Sequence, residues 1–155
     1  MMQRDDSLNY TVIPMSAEHI DGVEALEKAC FSAPWARVDI ERQLTNGNAR
    51  FLVAESGGEV CAYIGIFEIC EMCEVANLAV KSDFRRMGIA SALLEAACAG
   101  AAERGREFIT LEVRQSNAPA RALYEKLGFS MEGRRKNFYS SPVEDGIIMT
   151  KSLVK

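Results

Sequence analysis

The sequence predicts one domain with a mixed α/β fold, in which helices pack on a central sheet. Its 155 residues are a usual length for a single compact domain, and no repeat or Pro/Ser-rich linker divides them. Alternating apolar and polar runs separated by turns fill the first half, which predicts an antiparallel meander. Strand-like and helical runs alternate in the second half, which predicts a β-α-β-α-β segment.

The first predicted elements are a strand and a helix. Residues 10–14 alternate and are short enough for a strand, and Ser16 then has the side chain of a helix N-cap. Apolar residues follow at helical spacing and predict the buried face of that helix. They are Ile20, Val23, Leu26 and Ala29.

Proline and turn signals divide the rest of the meander. Pro34 stops or bends the chain, and a short helix is predicted over Val38–Leu44, until the turn signal Asn46-Gly47. Ser56-Gly57-Gly58 then predicts a tight hairpin between two strand-like runs. The meander strands are predicted at residues 51–55, 59–67 and 74–80.

Glycines mark the ends of the helices in the second half. An Ala- and Leu-rich helix is predicted over Gly88–Ala102, and Gly105 ends it. A further helix is predicted over Asn117–Leu127, closed by Gly128 at its C-terminal end. The strands of this half are predicted at residues 108–113, 129–132 and 147–151.

The bulk composition argues against some classes of function. A net charge of −4 and an isoelectric point near 5.1 disfavour direct nucleic-acid binding, which needs a basic surface. The same charge would suit a basic substrate. No apolar run reaches the roughly 20 residues of a membrane span, and the polar segment Met1–Asn9 lacks the apolar stretch of a signal peptide. We therefore expect a cytoplasmic protein that does not bind a membrane.

Five cysteines occur, at positions 30, 61, 70, 73 and 98. Cys70 and Cys73 form a C-x-x-C pair, but there is no second pair and His19 is the sole histidine, so a structural zinc site would lack ligands. We interpret the thiols as small buried hydrophobes in a reducing cytoplasm, rather than as redox or metal-binding groups.

The segment Arg85-Arg86-Met87-Gly88-Ile89-Ala90 stands between a predicted strand and the long helix. The first N–H groups of a helix lack partners and the helix dipole adds partial positive charge, so such a loop can bind phosphates. Gly88 and the small Ala90 let the backbone approach a ligand, and the two arginines add charge for a pyrophosphate. Taken alone, the segment is equally compatible with an ordinary helix start. It is not a Walker loop, because the Lys-Ser/Thr ending is absent.

Other segments stand in order around this loop: Asn77-Leu78-Ala79-Val80 before it, and Leu111-Glu112-Val113-Arg114, Asn117 and Ala122–Phe129 after it. In this order and spacing, from about residue 74 to residue 129, the chain resembles the GNAT acetyltransferases. The resemblance implies a mixed, mostly antiparallel sheet of about seven strands flanked by about four helices. It also implies acetyl-CoA as co-substrate, with no metal required.

Within that superfamily the chain is most similar to the RimI type, the bacterial ribosomal-protein alanine N-acetyltransferases. This likeness spans nearly the whole chain and includes Pro34-Trp35, Ser116-Asn117 and the tail at residues 134–139 ahead of residues 145–149. Phe138 stands where tyrosine is often found, and the stretch Ser140–Glu144 is variable. The peptide contacts of that family therefore do not carry over directly.

The resemblance implies three regions that bind the co-substrate. Backbone groups of the strand ending at Val80 would face the pantetheine arm and the acetyl carbonyl, and the glycine loop would bind the pyrophosphate. Asn117 would hydrogen-bond pantetheine, although it is also a natural N-cap, and both roles are compatible. The predicted residues are Leu78, Ala79, Val80, Arg85, Arg86, Met87, Gly88, Ile89, Ala90, Ser91 and Asn117.

Acetyl transfer needs a group that accepts a proton from the amine. Glu112 is a carboxylate inside an apolar strand, where burial would raise its pKa, and the resemblance places the general base there, directly or through a water. From the pattern alone, a solvated carboxylate on an edge strand is equally compatible. His19 lies in the first helix, far from the motif, and is not expected to be the base.

Three aromatic residues complete the predicted site. Tyr124 is expected to give a proton to the departing thiolate, while its ring can also pack in the core, since tyrosine often does both. Trp35 and Tyr139 are candidates for binding the acceptor. Trp35 is also compatible with a core lid.

The predicted function is therefore transfer of an acetyl group from acetyl-CoA to the N-terminal amine of a protein. The acceptor that the resemblance implies is an alanine, on small-subunit ribosomal protein eighteen. Two alternatives stay open. A lysine side chain or a small amine could be the acceptor on the same sheet, or the domain could bind acetyl-CoA as a sensor without turnover. The oligomeric state is not predicted.

Overall fold

The computed structural model describes residues 9–154, so Met1–Leu8 of the polar N-terminal segment lie outside the described residues. The strands are β1 (Thr11–Pro14), β2 (Ala49–Ser56), β3 (Glu59–Ile69), β4 (Met72–Val80), β5 (Phe108–Arg114), β6 (Ser130–Tyr139) and β7 (Glu144–Ser152). The helices are α1 (Ile20–Cys30), α2 (Arg37–Arg42), α3 (Ile89–Glu103) and α4 (Ala118–Lys126). No helix in this range has both the length and the hydropathy that crossing a bilayer requires.

These strands form one sheet, in the order β1-β2-β3-β4-β5-β7-β6. Neighbours are antiparallel except β4 and β5, which are parallel. Tight turns join β2 to β3, β3 to β4 and β6 to β7, whereas the parallel step from β4 to β5 requires α3 as a crossover. The predicted mixed, mostly antiparallel sheet flanked by helices is therefore confirmed.

Each face of the sheet has its own core. Apolar residues of α3 pack on one face, and those of α1 and α2 pack on the other. Side chains alternate along a strand, so Ile109 and Leu111 of β5 are buried on the α3 face. Thr110 and Glu112 alternate with these two residues, so they lie on the opposite face, against which α1 packs.

Helix α1 differs from its prediction at one position. Ser16 precedes a short 3₁₀ turn, Ala17–His19, which leads into the helix. The predicted stripe is buried except for Ala29, which is exposed, so that part of the prediction is wrong. Glu27 is buried instead, because it stands four residues after Val23 on the same side of the helix.

Helix α2 ends at Arg42 rather than at Leu44.

Strand β6 extends well beyond the predicted run at residues 129–132. It spans Ser130–Tyr139 and pairs with β7 at the edge of the sheet. The added part carries Arg134-Arg135-Lys136, all exposed, and therefore lacks apolar alternation. An edge strand with a solvated face does not need that alternation, and charged residues protect it from pairing with other chains.

All five cysteines are free thiols. Cys61, Cys73 and Cys98 are buried as predicted and Cys30 is half-buried, whereas Cys70 is exposed, so the prediction of burial is wrong for that residue. Cys70 lies in the turn between β3 and β4, outside both cores. Within residues 9–154, no group of His, Cys, Asp and Glu side chains is arranged to hold a metal ion.

Candidate active site

An opening in the sheet lies between the outer halves of β4 and β5. The two strands pair only where Met72–Glu74 meet Phe108–Thr110. Beyond that point each strand continues without pairing to the other, which leaves edge backbone groups available to a ligand. The predicted site residues on the two sides are Leu78, Ala79, Val80 and Glu112.

The loop after β4 has a backbone suited to anions. Gly88 caps α3 with a φ of +82°, and a Cβ built on it would have no atom within 4 Å, so the space beside it is open. Arg86 has a φ of +65°, a conformation that residues with side chains adopt rarely. A left-handed residue and an open glycine ahead of a 15-residue helix leave backbone N–H groups that could bind a phosphate.

The side chains of this loop differ in their surroundings. Ile89 is buried in the α3 core, so only its backbone is available to a ligand. The exposed positions are Arg85, Arg86 and Met87, and the half-buried positions are Ala90 and Ser91. Guanidinium groups in solvent beside a helix N-terminus can pair with phosphate oxygens.

Arg85 also contacts the protein. Its Nε atom donates to the Val80 carbonyl oxygen at 2.9 Å, and its Nη2 atom lies 3.5 Å from Cys30 Sγ. Arg85 therefore connects the loop to the end of β4 and to the end of α1. The Val80 carbonyl, one of the backbone groups predicted to face the co-substrate, already accepts this hydrogen bond.

Glu112 is a carboxylate with an unsatisfied oxygen. Its side chain is 19% exposed, and its Oε2 atom is buried and accepts no hydrogen bond from the described residues, although Arg135 Nε lies 3.2 Å away. Burial raises the pKa of Glu112, Arg135 lowers it and Glu74 raises it, and the net result lies above the ordinary carboxyl value. Because the side chain is mostly buried, the alternative of a solvated carboxylate is wrong.

An arginine, Arg135, lies beside Glu112, although the protein as a whole is acidic. Arg135 is 57% exposed and belongs to the run Arg134-Arg135-Lys136 on β6. The net charge of −4 therefore does not by itself describe the charges beside Glu112, where Arg135 and Glu74 act in opposite directions. Sequence reasoning missed Arg135, because nothing local shows that an exposed arginine faces a carboxylate on another strand.

Tyr124 is held by α4 at the border of the α3 core. Its ring packs on Phe129 with the ring centroids 6.0 Å apart, which confirms the predicted core contact. Burial raises the pKa of Tyr124, so its hydroxyl keeps its proton at neutral pH, as a general acid must. The acid role itself stays a prediction.

Tyr139 ends β6 near both predicted catalytic residues. Burial raises the pKa of Tyr139, and the charges of Glu112 and Tyr124 raise it further, while Arg114 lowers it. The Arg114 guanidinium lies 4.6 Å from the centre of the Tyr139 ring and donates to the Ser140 carbonyl oxygen at 3.0 Å. Arg114 therefore fixes the turn between β6 and β7, and Glu112 and Tyr124 are close enough to Tyr139 to influence its pKa.

Asn117 is the N-cap of α4. Its side-chain oxygen accepts the backbone N–H of Ala120 at 3.2 Å, which confirms the capping role. Since the cap uses the oxygen, the amide nitrogen can still donate to a ligand. The predicted bond to pantetheine is compatible with the cap and stays a prediction.

Trp35 lies half-buried in the loop between α1 and α2. Its ring stacks on Phe67, with centroids 6.3 Å apart and planes inclined by 15°, and it also contacts Phe51. These contacts confirm the core-lid alternative for the ring. Its predicted contact with the acceptor remains a prediction.

The sole histidine lies away from this arrangement. His19 is 2% exposed, its Nδ1 accepts the backbone N–H of Ser16 at 2.9 Å, and its Nε2 lies 3.2 Å from Glu55 Oε2. Glu55 belongs to β2, which β3 and β4 separate from β5. This position agrees with the expectation that His19 is not the base.

The chain is similar to known acetyltransferases over most of its length. The profile of the acetyltransferase (GNAT) family matches residues 20–129. A protein of Bacillus subtilis (strain 168) is 35% identical over 136 residues, which are 87% of this chain and 90% of the relative. The [ribosomal protein bS18]-alanine N-acetyltransferase of Escherichia coli (strain K12) is 33% identical over 150 residues, which are 96% of this chain and 96% of the relative.

The same likeness appears among solved structures. The crystal structure of the ribosomal-protein-S18-alanine N-acetyltransferase from Escherichia coli has a TM-score of 0.87 to this chain at 28% identity. The match covers 95% of this chain and 96% of that one. The two proteins therefore share the sheet and its helices nearly from end to end.

Proposed function

The chain belongs to the acetyltransferase (GNAT) family, and from this premise we propose that it transfers the acetyl group of acetyl-CoA to the N-terminal amine of a protein. The acceptor that we propose is an N-terminal alanine of a ribosomal protein, the acceptor named for the Escherichia coli relative. Such an acceptor would place the enzyme in the cytoplasm. The observation that carries this proposal is Glu112, a half-buried carboxylate whose Oε2 atom is buried and unsatisfied, at the opening between β4 and β5.

The residues present fit acetyl-CoA. The open space at Gly88 and the start of α3 suit the pyrophosphate, and the unpaired edge of β4 can hydrogen-bond the amides of the pantetheine arm. When bound, acetyl-CoA supplies a thioester whose carbonyl carbon an amine can attack. Asn117 and the exposed Arg86 are further groups of this chain that we assign to holding it.

The position of Glu112 suits a weakly basic amine. An α-amine has a pKa of about 7.7–8.0 and a lysine side chain about 10.4, so the lysine proton is harder to remove by roughly 3.5 kcal/mol. A carboxylate is a weak base even when burial raises its pKa, as it does for Glu112. We therefore favour an α-amine over a lysine, because Glu112 can take its proton at a smaller energetic cost.

Each side chain around the opening has a proposed task. Glu112 accepts the proton of the acceptor ammonium at Oε2, directly or through one water. The hydroxyl of Tyr124 donates a proton to the departing sulfur, which its protonated state at neutral pH allows. Tyr139 and Trp35 form the sides between which the first acceptor residues would bind.

Release of free thiol from acetyl-CoA with three acceptors tests this function. The acceptors are a basic peptide that begins with alanine, the same peptide with a blocked N-terminus and a free lysine, and a polyamine. We expect release only with the unblocked peptide. In Glu112→Gln we expect kcat to fall by about 10²–10⁴-fold, the usual contribution of a general base, with acetyl-CoA binding unchanged.

Glu74→Gln is the matched control, because Glu74 is an exposed carboxylate on the neighbouring strand that also influences the pKa of Glu112. We expect it to retain activity within a few-fold at its optimal pH. Release with the blocked peptide or the polyamine would move the acceptor to lysines or small amines. Binding of acetyl-CoA without any release would instead support a sensor.

A further inference from the structure

Glu27 forms a buried hydrogen-bond cluster with three residues, two of which are distant in sequence. Its side chain has a relative exposure of 0%. Oε1 accepts the backbone N–H of Trp35 at 2.8 Å, and Oε2 accepts the Asn77 Nδ2 at 2.9 Å and the Tyr63 hydroxyl. All three donors are neutral groups, so hydrogen bonds rather than a cation compensate the buried carboxylate.

The cluster joins the elements on one side of the opening. Glu27 lies in the last turns of α1, Trp35 in the loop that follows, Tyr63 on β3, and Asn77 on β4 directly before Leu78. A second contact links the same regions, because Cys30 Sγ at the end of α1 lies 3.7 Å from the Val80 carbonyl oxygen. The loop that carries Trp35 is therefore fixed to the part of β4 that borders the opening.

The chemistry of the cluster requires a carboxylate. Three donors converge on two oxygens, and a carboxylate accepts on both. A glutamine at this position would have one acceptor oxygen, and its NH₂ group would face donors. Glu27 is thus specified by its hydrogen bonds more strongly than an ordinary helical glutamate, which would be solvated.

We propose that Glu27 is a positioning residue for the acceptor, which holds the Trp35 loop against β4 so that the first residues of the acceptor bind beside it. The inference rests on the proposed N-terminal acetyl transfer. Being fully buried, Glu27 acts through Trp35 and not by touching the acceptor. Acetyl-CoA binding, which we assign to backbone groups and to the start of α3, should not depend on it.

The test compares Glu27→Gln with Glu68→Gln in the full chain. Glu68 is the matched control, because it is 4% exposed and hydrogen-bonded in the same sheet, but to Arg104 and Arg106 on the α3 side. For Glu27→Gln we expect the KM for an alanine-starting peptide to rise roughly ten-fold, as expected when one buried donor loses its acceptor. The KM for acetyl-CoA and kcat should stay within about two-fold.

Fluorescence provides a readout that does not depend on the acceptor. Trp35 is the only tryptophan of the chain, so its emission and its quenching by acrylamide report on this loop alone. We expect greater quenching in Glu27→Gln and wild-type quenching in Glu68→Gln. Tyr63→Phe, which removes one donor but keeps the bond to Trp35, should change both the peptide KM and the quenching less.

The outcomes separate the two proposals. A wild-type enzyme that acetylates the peptide, with an unchanged peptide KM in Glu27→Gln, overturns the role of Glu27 and leaves the proposed function standing. A similar rise of the peptide KM in Glu68→Gln also overturns it, because the effect would then be general destabilisation. A wild-type enzyme that is inactive on every peptide with a free N-terminus overturns the proposed function. If acrylamide quenching of Trp35 is then also unchanged in Glu27→Gln, the proposal that Glu27 fixes the Trp35 loop is overturned as well.

Discussion

Two carboxylates, one on helix α1 and one on strand β5, lie on the same side of the sheet and differ in how their oxygens are hydrogen-bonded. Glu27, under the Trp35 loop, is fully buried and accepts hydrogen bonds from three neutral donors. Glu112, beside the opening, has a buried oxygen with no hydrogen bond from the described residues and an exposed arginine nearby. The first carboxylate uses its acceptor capacity to join elements, whereas the second keeps capacity for a proton.

This difference shows how one residue type can serve structure and chemistry in the same fold. Burying a carboxylate is costly, and full hydrogen bonding offsets the cost and makes the group part of the framework. An oxygen without a hydrogen bond leaves the free-energy cost of burying the charge uncompensated, and for Glu112 this cost is seen as a raised pKa. The unsatisfied group is therefore the one to expect in catalysis.

Stability gives the largest contrast between the two carboxylates. Glu27→Ala leaves three donors without their acceptor in the core, and we expect it to lower the free energy of unfolding by about 3–5 kcal/mol. Glu112→Ala removes an oxygen that accepts no hydrogen bond from the described residues and an ion pair to the exposed Arg135, and we expect a loss of at most about 1 kcal/mol. Urea unfolding at pH 7 followed by circular dichroism measures both. Equal losses would show that the two sites do not differ in the way described.

A smaller effect of opposite sign is expected for Glu112→Gln. A raised carboxyl pKa in the folded state means that the charged form is disfavoured there, so the charge reduces stability above that pKa. The glutamine variant should therefore be more stable than wild type at pH 7, with a free energy of unfolding that is higher by up to about 1 kcal/mol. The gain should shrink as the pH falls through the raised pKa and vanish below the ordinary carboxyl range, near 4.3.

The measurement is a series of urea titrations from pH 4 to pH 8 for wild type and Glu112→Gln. Glu74→Gln serves as its control, because Glu74 is exposed and should change stability little at any pH. A glutamine variant that is less stable than wild type at pH 7 would mean that the contact with Arg135 outweighs the cost of burial at Glu112.

Much of the fold could be predicted because hydrophobic periodicity is local. The alternating runs predicted the strands of the meander, and glycines at helix ends predicted where α3 and α4 stop. The added length of β6 could not be predicted this way, because its exposed Arg134-Arg135-Lys136 carries no apolar pattern. Its pairing with β7 follows from the register of the sheet, which is a tertiary property.

The candidate site shows the same limit. The apolar strand around Glu112 made its burial one of two equally compatible predictions, whereas its neighbour Arg135 is contributed by another strand and has no local signal. Glu27 bonds to partners 36 and 50 residues away along the chain, which no short pattern reveals. One signal was present: Glu27 stands on the stripe of Val23, and a carboxylate on the apolar side of a helix indicates buried partners.

The smallest expected effect concerns the charges around Glu112. Arg135 lowers the pKa of Glu112 and Glu74 raises it, while burial gives the largest contribution. Arg135→Gln should therefore raise that pKa further and move the acidic limb of kcat/KM to higher pH. Glu74→Gln should move the same limb to lower pH. The measurement is kcat/KM for the alanine-starting peptide from pH 5 to pH 9 at constant ionic strength.

Opposite shifts in two variants identify the titrating group in a way that one variant cannot. The acceptor amine titrates in the same range, but its limb is a property of the peptide and must be identical in both variants. Tyr139 also faces Glu112, and its pKa is raised, so it stays protonated through this range. Salt should reduce the effect of Arg135, because that side chain is 57% exposed. If neither variant moves the limb, Glu112 is not the base, and its unsatisfied oxygen would need another explanation.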